Sequence, residues 1–172
     1  RARESLRRLG VDVRTETFVT EVLADHVSAG RLRIPTHTVV WAAGNRASPL
    51  LATLGAPLDK FGRALVEPDC SVPGHREVFV LGDAAAFPGK DGNPLPGLCP
   101  VAIQQGKYAA ATIRADLVGK PRRPFSYLDK GQLAVIGRGR GVADFGPLHF
   151  HGFIAWLAWI FVHIFFLIGF RN

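Results

Sequence analysis

Two apolar runs, each followed by a glycine, constrain the fold of this chain more than any other feature. One covers residues 38–43 (TVVWAA) before Gly44, and the other covers residues 77–81 (EVFVL) before Gly82. Their apolar residues are contiguous rather than alternating, which is typical of strands that are covered on both faces. Because helix-like segments alternate with these runs, the sequence predicts an α/β fold with parallel strands.

Shorter patterns predict the remaining elements. A helix over residues 101–118 has the clearest ends, because Pro100 suits its first position and Gly119 suits its end. Its predicted apolar stripe consists of Ile103, Ala110, Ile113 and Leu117. The other predicted elements are a helix over residues 2–9 and strands over residues 11–15, 18–23, 32–34, 133–136 and 141–145.

The composition excludes several classes of protein. With 48% hydrophobic and 20% charged residues, the chain is globular rather than disordered. The net charge of +7 suits anionic partners, but the basic residues are scattered and the Arg/Gly tract at residues 137–141 is a single copy, so no nucleic acid is expected. Cys70 and Cys99 form no CxxC motif, and His149 and His151 lack a third ligand nearby, so no metal site is expected.

The chain also lacks two features that a complete dinucleotide-binding protein would have. It contains no methionine and no GxGxxG fingerprint of the kind that opens a dinucleotide-binding domain. We therefore expect a piece of a longer protein, with such fingerprints before Arg1. Composition divides the chain into three zones, which are residues 1–48, 49–119 and 120–172.

The pair Gly82 and Asp83 ends the second apolar run and could form a binding turn. Ligands of open α/β sheets bind beyond the carboxyl ends of strands, where glycine allows close approach and a carboxylate accepts hydrogen bonds from sugar hydroxyls. The three alanines that follow, residues 84–86, would leave room for a planar ring. Taken alone, a Gly-Asp pair is more often a plain turn that closes a strand.

The last long run, residues 150–170, contains 21 residues without Asp, Glu, Lys or Arg. As a helix it would be about 31 Å long, close to the hydrocarbon thickness of a bilayer. Trp156 and Trp159 would anchor it at the interface. The alternative of a buried core helix fits a small chain less well, and spanning and interfacial positions both remain open.

Longer strings of residues resemble a known family. Residues 77–86 are similar to the last flavin-contacting strand of flavoprotein reductases with two dinucleotide-binding domains, and residues 38–44 are similar to the strand that returns from their nicotinamide domain. Residues 98–109 resemble the helix start that faces flavin and quinone in type II, single-subunit NADH dehydrogenases. Residues 125–131 and the aromatic tail also resemble the C-terminal part of that family.

The resemblance implies a set of site residues. Asp83 would hold the ribityl chain of FAD beside Gly82, and Gln104 would match the second glutamine of the quinone motif. Pro100 stands where many members have a glutamine, and proline lacks the side-chain donor that a quinone contact there would use. The implied cofactor-binding residues are Gly82, Asp83, Pro100, Val101, Ala102 and Gly44, with Gln104 for quinone and no residue of the chain assigned to a catalytic role.

The resemblance also implies an organisation and an activity. Residues 1–48 would end the NADH-binding domain, residues 49–119 would complete the FAD-binding domain, and residues 120–172 would attach to the membrane through a helix over 150–170. The implied reaction passes a hydride from NADH to FAD and then two electrons to a membrane quinone. Membrane lipid would be a partner at the cytoplasmic face of the cell membrane, and a homodimer is left open.

The sequence is also compatible with other functions. The same architecture serves sulfide:quinone and ferredoxin-type reductases, of which the first would need redox cysteines near the flavin. A non-enzymatic, membrane-anchored module is a rival of a different class. Because the phosphate-binding loops are absent, the 172 residues alone are expected to be inactive.

Overall fold

The computed structural model describes residues 2–44 and 46–166, which form two compact units. The first unit combines Arg1–Val40 with Asp129–Asn172, and the second is Trp41–Leu128. The helices are α1 (Ala2–Arg8), α2 (Cys99–Asp116) and α3 (Phe153–Phe165), with 3-10 helices at Pro49–Leu54 and Gly82–Ala84. The strands are β1 (Glu21–Val22), β2 (His26–Ala29), β3 (Leu32–Pro35), β4 (Ala64–Leu65), β5 (Ser71–Val72), β6 (His75–Phe79), β7 (Ala85–Ala86), β8 (Gln132–Gly137), β9 (Arg140–Phe145) and β10 (Leu148–Gly152).

The first unit contains two antiparallel sheets, ordered β1-β2-β3 and β10-β9-β8. The predicted helix at its start and the predicted strands over residues 32–34, 133–136 and 141–145 are confirmed to within a few residues. The strand predicted over residues 11–15 is wrong, and only Glu21–Val22 remains of the one predicted over 18–23. Residues 11–15 pair with no described strand, and an extended segment without a ladder partner gains no sheet hydrogen bonds.

The first apolar run of the sequence, residues 38–43, does not form the predicted buried strand. It is extended without sheet pairing, and the side chains of Val40 and Trp41 are 85% and 64% exposed. The indole of Trp41 donates its N–H to the carbonyl of Ala43, 3.1 Å away, within the same segment. No described strand lies beside this run, so the burial that its composition favours does not occur in the described part of the chain.

The second apolar run contributes to β6, but its pairing differs from the prediction. Strand β6 pairs antiparallel with β5, and the one parallel pair among the described strands joins β4 to β7. Parallel pairing is therefore much more limited than predicted. The core of the second unit consists of Leu51, Ala64, Val72, Val80 and Ala85, and a neighbouring cluster consists of Cys70, Phe87 and Phe125.

Helix α2 begins two residues before the predicted start and ends near the predicted end, with Gly119 in the left-handed region at φ 69°. The predicted apolar stripe is wrong, because its four residues are exposed. The buried stripe instead consists of Val101, Gln105, Ala109 and Thr112. A polar residue thus occupies the centre of the buried face.

Helix α3 starts later than predicted, since residues 150–152 belong to β10 and pair with β9. The end of the predicted helix, residues 167–170, lies outside the described residues. Among residues 2–44 and 46–166, no helix combines the length and apolar character needed to cross a bilayer. Of the helix side chains that the structure describes, only Ala155 is buried, so most aromatic residues of α3 are at the surface.

Candidate functional site

The turn at Gly82 and Asp83 follows β6 and Val80, a buried core residue. It forms one turn of 3-10 helix, Gly82–Ala84, before the chain enters β7. Gly82 has φ 60°, a left-handed conformation that side chains disfavour. Glycine is therefore required here by the backbone, independently of any ligand.

Gln105 of α2 holds this turn in place. Its side chain is only 1% exposed, and its Oε1 accepts a hydrogen bond from the backbone N–H of Gly82 at 2.6 Å. The Nε2 atom of the same amide is buried and has no hydrogen-bond partner among the described residues. A buried amide donor without a partner is costly, so a missing acceptor is expected at this position.

Small residues let α2 approach the turn closely. A Cβ atom added to Gly82 would lie 3.0 Å from the Cβ of Ala102, which is tighter than an ordinary contact. The predicted site residues Gly82 and Ala102 are therefore neighbours. Together with Gln105, they bring the first turns of α2 against the backbone that follows β6.

The carboxylate of Asp83 is exposed beside the start of α2, and no described residue donates a hydrogen bond to it. Gly97 leaves space for it, because a Cβ atom added to Gly97 would lie 3.1 Å from Oδ1 of Asp83. Since an ionised carboxylate only accepts hydrogen bonds, Asp83 can receive them from the hydroxyls of a ligand.

The other predicted flavin contacts differ from one another in exposure. Pro100 is exposed at the start of α2, whereas Val101 is 2% exposed and faces the interior of its unit. Gly44 lies in an exposed segment at φ 79°, and an added Cβ would meet no atom within 4 Å. The structure therefore brings Gly82, Asp83 and Ala102 together with the start of α2, and it leaves Gly44 without a neighbour at that distance.

Gln104, the predicted quinone contact, uses its amide within the protein. Its Nε2 donates to the carbonyl of Leu128 at 2.9 Å, and its Oε1 accepts the N–H of Leu128 at 3.0 Å. This two-bond pairing fixes the segment after α2 to the helix. A quinone that bound the Gln104 amide would have to replace these bonds or use its remaining hydrogen-bonding capacity.

The prediction that the alanines after Asp83 leave room for a ring is wrong for two of them. Ala85 and Ala86 form β7 and are buried. Ala85 pairs with Ala64 of β4, itself fully buried, and belongs to the hydrophobic core. Their small size serves the packing of this parallel pair.

Sequence reasoning did not identify Gln105 as a site residue, because its neighbour Gln104 matched the family motif. A signal was present in the sequence, since Gln105 falls four residues from Val101 and Ala109, both small or apolar. Had the stripe been placed on this face, a glutamine at its centre would have stood out as a buried polar group in need of partners.

A second polar cluster surrounds Arg122 in the same unit and borders a cavity of about 710 Å³. The guanidinium bonds Asp116 through two nitrogens, donates to Asp69 at 3.0 Å and to the Arg76 carbonyl at 2.8 Å, and lies 4.8 Å from the ring centre of Phe79. These contacts tie Asp116, at the end of α2, to Asp69 and to the backbone of Arg76 in β6.

The charges of this cluster shift the pKa values of its carboxyl groups. Burial by itself would raise the pKa of Asp69, but hydrogen bonds from Ser71 and Arg122 outweigh it and the pKa is lowered. The Arg122 hydrogen bond lowers the pKa of Asp116. Burial, aided by the negative charge of Asp69, raises the pKa of the Cys70 thiol to about 12, so Cys70 stays protonated at neutral pH.

The residues at the Gly82 turn fit the ribityl side of a flavin. The fit rests on the unpaired buried Nε2 of Gln105, the unshared carboxylate of Asp83 and the close approach that Gly82 and Ala102 permit. A free donor and a free acceptor at one strand end are what a polyhydroxylated chain requires.

The sequence of the chain matches known proteins over this same region. Residues 1–106 match the family model of the pyridine nucleotide-disulphide oxidoreductases. The chain belongs to this oxidoreductase family. The match ends just after Gln105, so it includes the whole Gly82 turn and the start of α2.

Several curated members of the family are similar to the chain. It is 43% identical to the type II NADH:quinone oxidoreductase Ndh of Mycobacterium tuberculosis, over all of this chain and 39% of that protein. It is 32% identical to the demethylphylloquinone reductase NdbB of Synechocystis, over 85% of this chain and 39% of that protein. The predicted resemblance to type II NADH dehydrogenases is confirmed, and the chain spans well under half the length of these relatives.

Solved structures confirm the fold. The NDH2 protein of Plasmodium falciparum, in its complex with NADH, matches 97% of this chain and 50% of its own chain with a TM-score of 0.81 at 14% identity. Its complex with RYL-552 matches with a TM-score of 0.80. The predicted α/β class is therefore confirmed for this member of the oxidoreductase family.

Proposed function

We propose that the full-length gene product is an NADH:quinone oxidoreductase that transfers a hydride from NADH to FAD and then two electrons to a membrane quinone. The observation that carries the proposal is the Gly82–Ala84 turn, held by buried Gln105 in a chain 43% identical to a type II NADH:quinone oxidoreductase. Bound FAD would supply the redox chemistry, and the protein would supply binding and orientation.

In this proposal each residue of the turn has a separate task. Asp83 accepts hydrogen bonds from the ribityl hydroxyls, and Gly82 allows the ligand to lie against the backbone. Gln105 acts through Gly82 as a positioning residue, and its Nε2 atom gains the acceptor that it lacks among the described residues.

The start of α2 would favour the reduced form of the cofactor. The first N–H groups of a helix have no partner within it and carry partial positive charge, which stabilises a nearby anion. Pro100 has no N–H, and the N–H groups of Val101 and Ala102 donate to the carbonyl of Leu98 at 3.0 and 3.2 Å, so this helix end would act through its partial positive charge and not through free donors. Pro100 and Ala102 would lie toward the flavin ring, with buried Val101 packed behind them and Gln104 toward quinone.

We also propose the limits of the domains, a contact with lipid and a location at the membrane. Residues 1–48 would close the NADH-binding part, with Gly44 at its exit, and residues 49–119 would complete the FAD-binding part. Residues 120–172 would meet the membrane at its cytoplasmic face. Support comes from the exposed aromatic side chains of α3, including Phe161 and Phe165.

A sulfide:quinone reductase fits the described residues less well. Such chemistry needs reactive thiolates, whereas the thiol of Cys70 is fully buried and its pKa is raised to about 12. Cys99 is exposed at the first turn of α2, and no described cysteine pairs with it.

Anaerobic absorbance spectroscopy of the purified full-length protein tests the proposed function. NADH should bleach the flavin bands, and a soluble quinone should restore them with one quinone consumed per NADH. A colourless protein that binds no added FAD, or a reduced flavin that quinone does not reoxidise, would overturn the proposal.

A further inference from the structure

A second cavity, of about 420 Å³, lies in the first unit and plays no part in the proposed flavin site. It is bordered by α1, by the start of β9 and by the end of β10. Its charged and ionisable lining residues are Glu4, Arg8, Arg140 and His151.

Arg140 is the unusual member of this lining. Its Nη1 atom is buried, and it has no hydrogen-bond partner in the described part of the chain. No described carboxylate forms an ion pair with Arg140. A partly buried guanidinium is rarely left without an acceptor, because removing a charge from water is costly unless it is paired. The missing partner of Arg140 is therefore expected to be an anion.

The other charges of the cavity leave it positive. Glu4 is paired with Arg8 at 3.3 Å on the exposed surface of α1, so these two opposite charges offset each other. The positive charge of Arg140 is then not offset by any of the described carboxylates. The guanidinium has a planar fork of N–H donors that matches the oxygens of a phosphate group.

The position of the cavity favours the phosphate group of a lipid over a free phosphate ion. Gly152 borders the cavity and is also the cap residue of α3, so the exposed apolar helix starts at its rim. The first residues beyond the rim, Phe153 and Ile154, are exposed, as are Leu157 and Phe161 farther along. A basic cavity beside an apolar helix surface has the two kinds of contact that an anionic phospholipid needs.

We propose that this cavity binds the phosphate group of an anionic phospholipid while the exposed side of α3 contacts the lipid chains. The proposal names the lipid class for the membrane contact suggested above. It requires neither flavin nor NADH, so its failure and the failure of the redox function are distinguishable.

Flotation of the full-length protein with vesicles tests the proposal. One set of vesicles contains phosphatidylcholine only, and the other also contains phosphatidylglycerol. Arg140→Gln should weaken binding to the anionic vesicles by about tenfold, as expected for the loss of a charge-assisted hydrogen bond. Its binding to the neutral vesicles should change much less, because the phosphate of phosphatidylcholine is accompanied by a choline cation that a positive cavity disfavours.

Arg138→Gln is the matched control. Arg138 lies two residues away in the same hairpin and carries the same charge, but it is exposed and does not line the cavity. At about 1 M salt the Debye length falls to about 3 Å, so diffuse attraction at exposed Arg138 is screened while a contact at Arg140 persists. Equal losses for the two variants, or equal binding of the unmodified protein to both vesicles, would overturn the proposal.

A thermal shift with the unmodified protein covers the case in which Arg140→Gln does not fold. Short-chain phosphatidylglycerol should raise the melting temperature, and short-chain phosphatidylcholine should raise it much less because of its choline cation; equal rises would overturn the proposal. If inorganic phosphate alone gave the same rise, the cavity would be a site for free phosphate and the lipid assignment would be wrong.

Discussion

Helices α2 and α3 differ in how much of their surface they bury and in whether the buried face contains polar side chains. The buried stripe of α2 consists of small residues with a glutamine and a threonine, and its larger apolar residues are exposed. Helix α3 is aromatic throughout, yet Ala155 is its only buried residue among those described. The comparison indicates that α2 uses its inner face to hold the backbone of the Gly82 turn, while α3 packs through a narrow contact and presents its apolar surface outward.

The largest loss of stability is expected where α3 packs against β9. Gly141 of β9 touches α3 so closely that an added Cβ would lie 2.6 Å from the backbone nitrogen of Trp156. Gly141→Ala should therefore reduce the free energy of unfolding by about 3 kcal/mol, because backbone cannot yield as a flexible side chain does. Chemical denaturation of the full-length protein measures this loss.

Gly137→Ala in the adjacent strand is the control for Gly141→Ala. The nearest atom to its added Cβ is Cδ1 of Leu9 at 3.7 Å, an ordinary contact. It should change the unfolding free energy much less. Equal losses for the two variants would show that α3 does not depend on this narrow contact.

Gln105→Leu tests the inner face of α2. The substitution keeps the approximate shape but leaves the N–H of Gly82 without its acceptor, at a cost of about 2 kcal/mol. We also expect FAD affinity, measured by absorbance titration, to fall by about tenfold. Gln105→Glu can still accept the Gly82 N–H but lacks the Nε2 donor, so it should recover only the part of the affinity that depends on the position of the turn.

Gln104→Leu is the matched control for Gln105→Leu. It removes the same side chain one position earlier and breaks the two bonds with Leu128, so some loss of stability is expected. FAD affinity should be retained. If both variants lost FAD equally, Gln105 would act through general stability and not through the turn.

A smaller effect is expected at the end of α2, where Arg122 joins Asp69 and Asp116. Arg122→Lys keeps the charge but loses the planar fork, and it should reduce the unfolding free energy by about 1 kcal/mol. Urea denaturation at neutral pH measures the change. A variant as stable as the unmodified protein would mean that the planar guanidinium group of Arg122 stabilises the fold only through its charge.

The Arg122 cluster also predicts a pH dependence. Because the pKa values of Asp69 and Asp116 are lowered on folding, their contribution is complete above the unfolded value of about 4 and is lost as the pH falls through the lower folded values. The difference between Arg122→Lys and the unmodified protein should therefore shrink in acid. A constant difference would contradict this linkage.

The smallest effect on folding is expected on the outer side of α3. Phe161 is 71% exposed, so Phe161→Ser should change the unfolding free energy by less than about 0.5 kcal/mol. Partition into neutral vesicles should nevertheless fall by about tenfold, since burial of a phenylalanine side chain contributes about 1.5–3 kcal/mol. Unchanged partition would mean that this side of α3 does not meet lipid.

The sequence predicted the parts of the fold that depend on local signals. Pro100 and Gly119 located α2 to within a few residues, and the β8–β9 hairpin was found from its strand patterns. The run over residues 38–43 was misjudged because its burial depends on neighbouring strands that local composition does not specify. The start of α3 was misjudged because residues 150–152 contain no Asp, Glu, Lys or Arg and so extended the predicted helix, whereas they pair with β9.

The candidate site was only partly predictable for a related reason. Gly82 and Asp83 were predicted because the strand end and the family resemblance pointed to the same position, and their role in binding stays a prediction. Gln105 was missed because hydrophobic periodicity predicts that the most apolar face of a helix is buried. This helix instead buries the face whose glutamine accepts a hydrogen bond from the Gly82 backbone. Which face a helix buries is decided by what lies opposite it, and that is a tertiary property.

The most direct test of the account is the FAD affinity of the full-length protein with Asp83→Ala, compared with Asp12→Ala. Asp12 is also exposed, but its contact is with Arg14, outside the unit that contains the turn. Asp83→Ala should weaken FAD binding by about tenfold or more, and Asp12→Ala should leave it unchanged. Equal FAD affinity in both variants would contradict the assignment of the Gly82 turn as the flavin site.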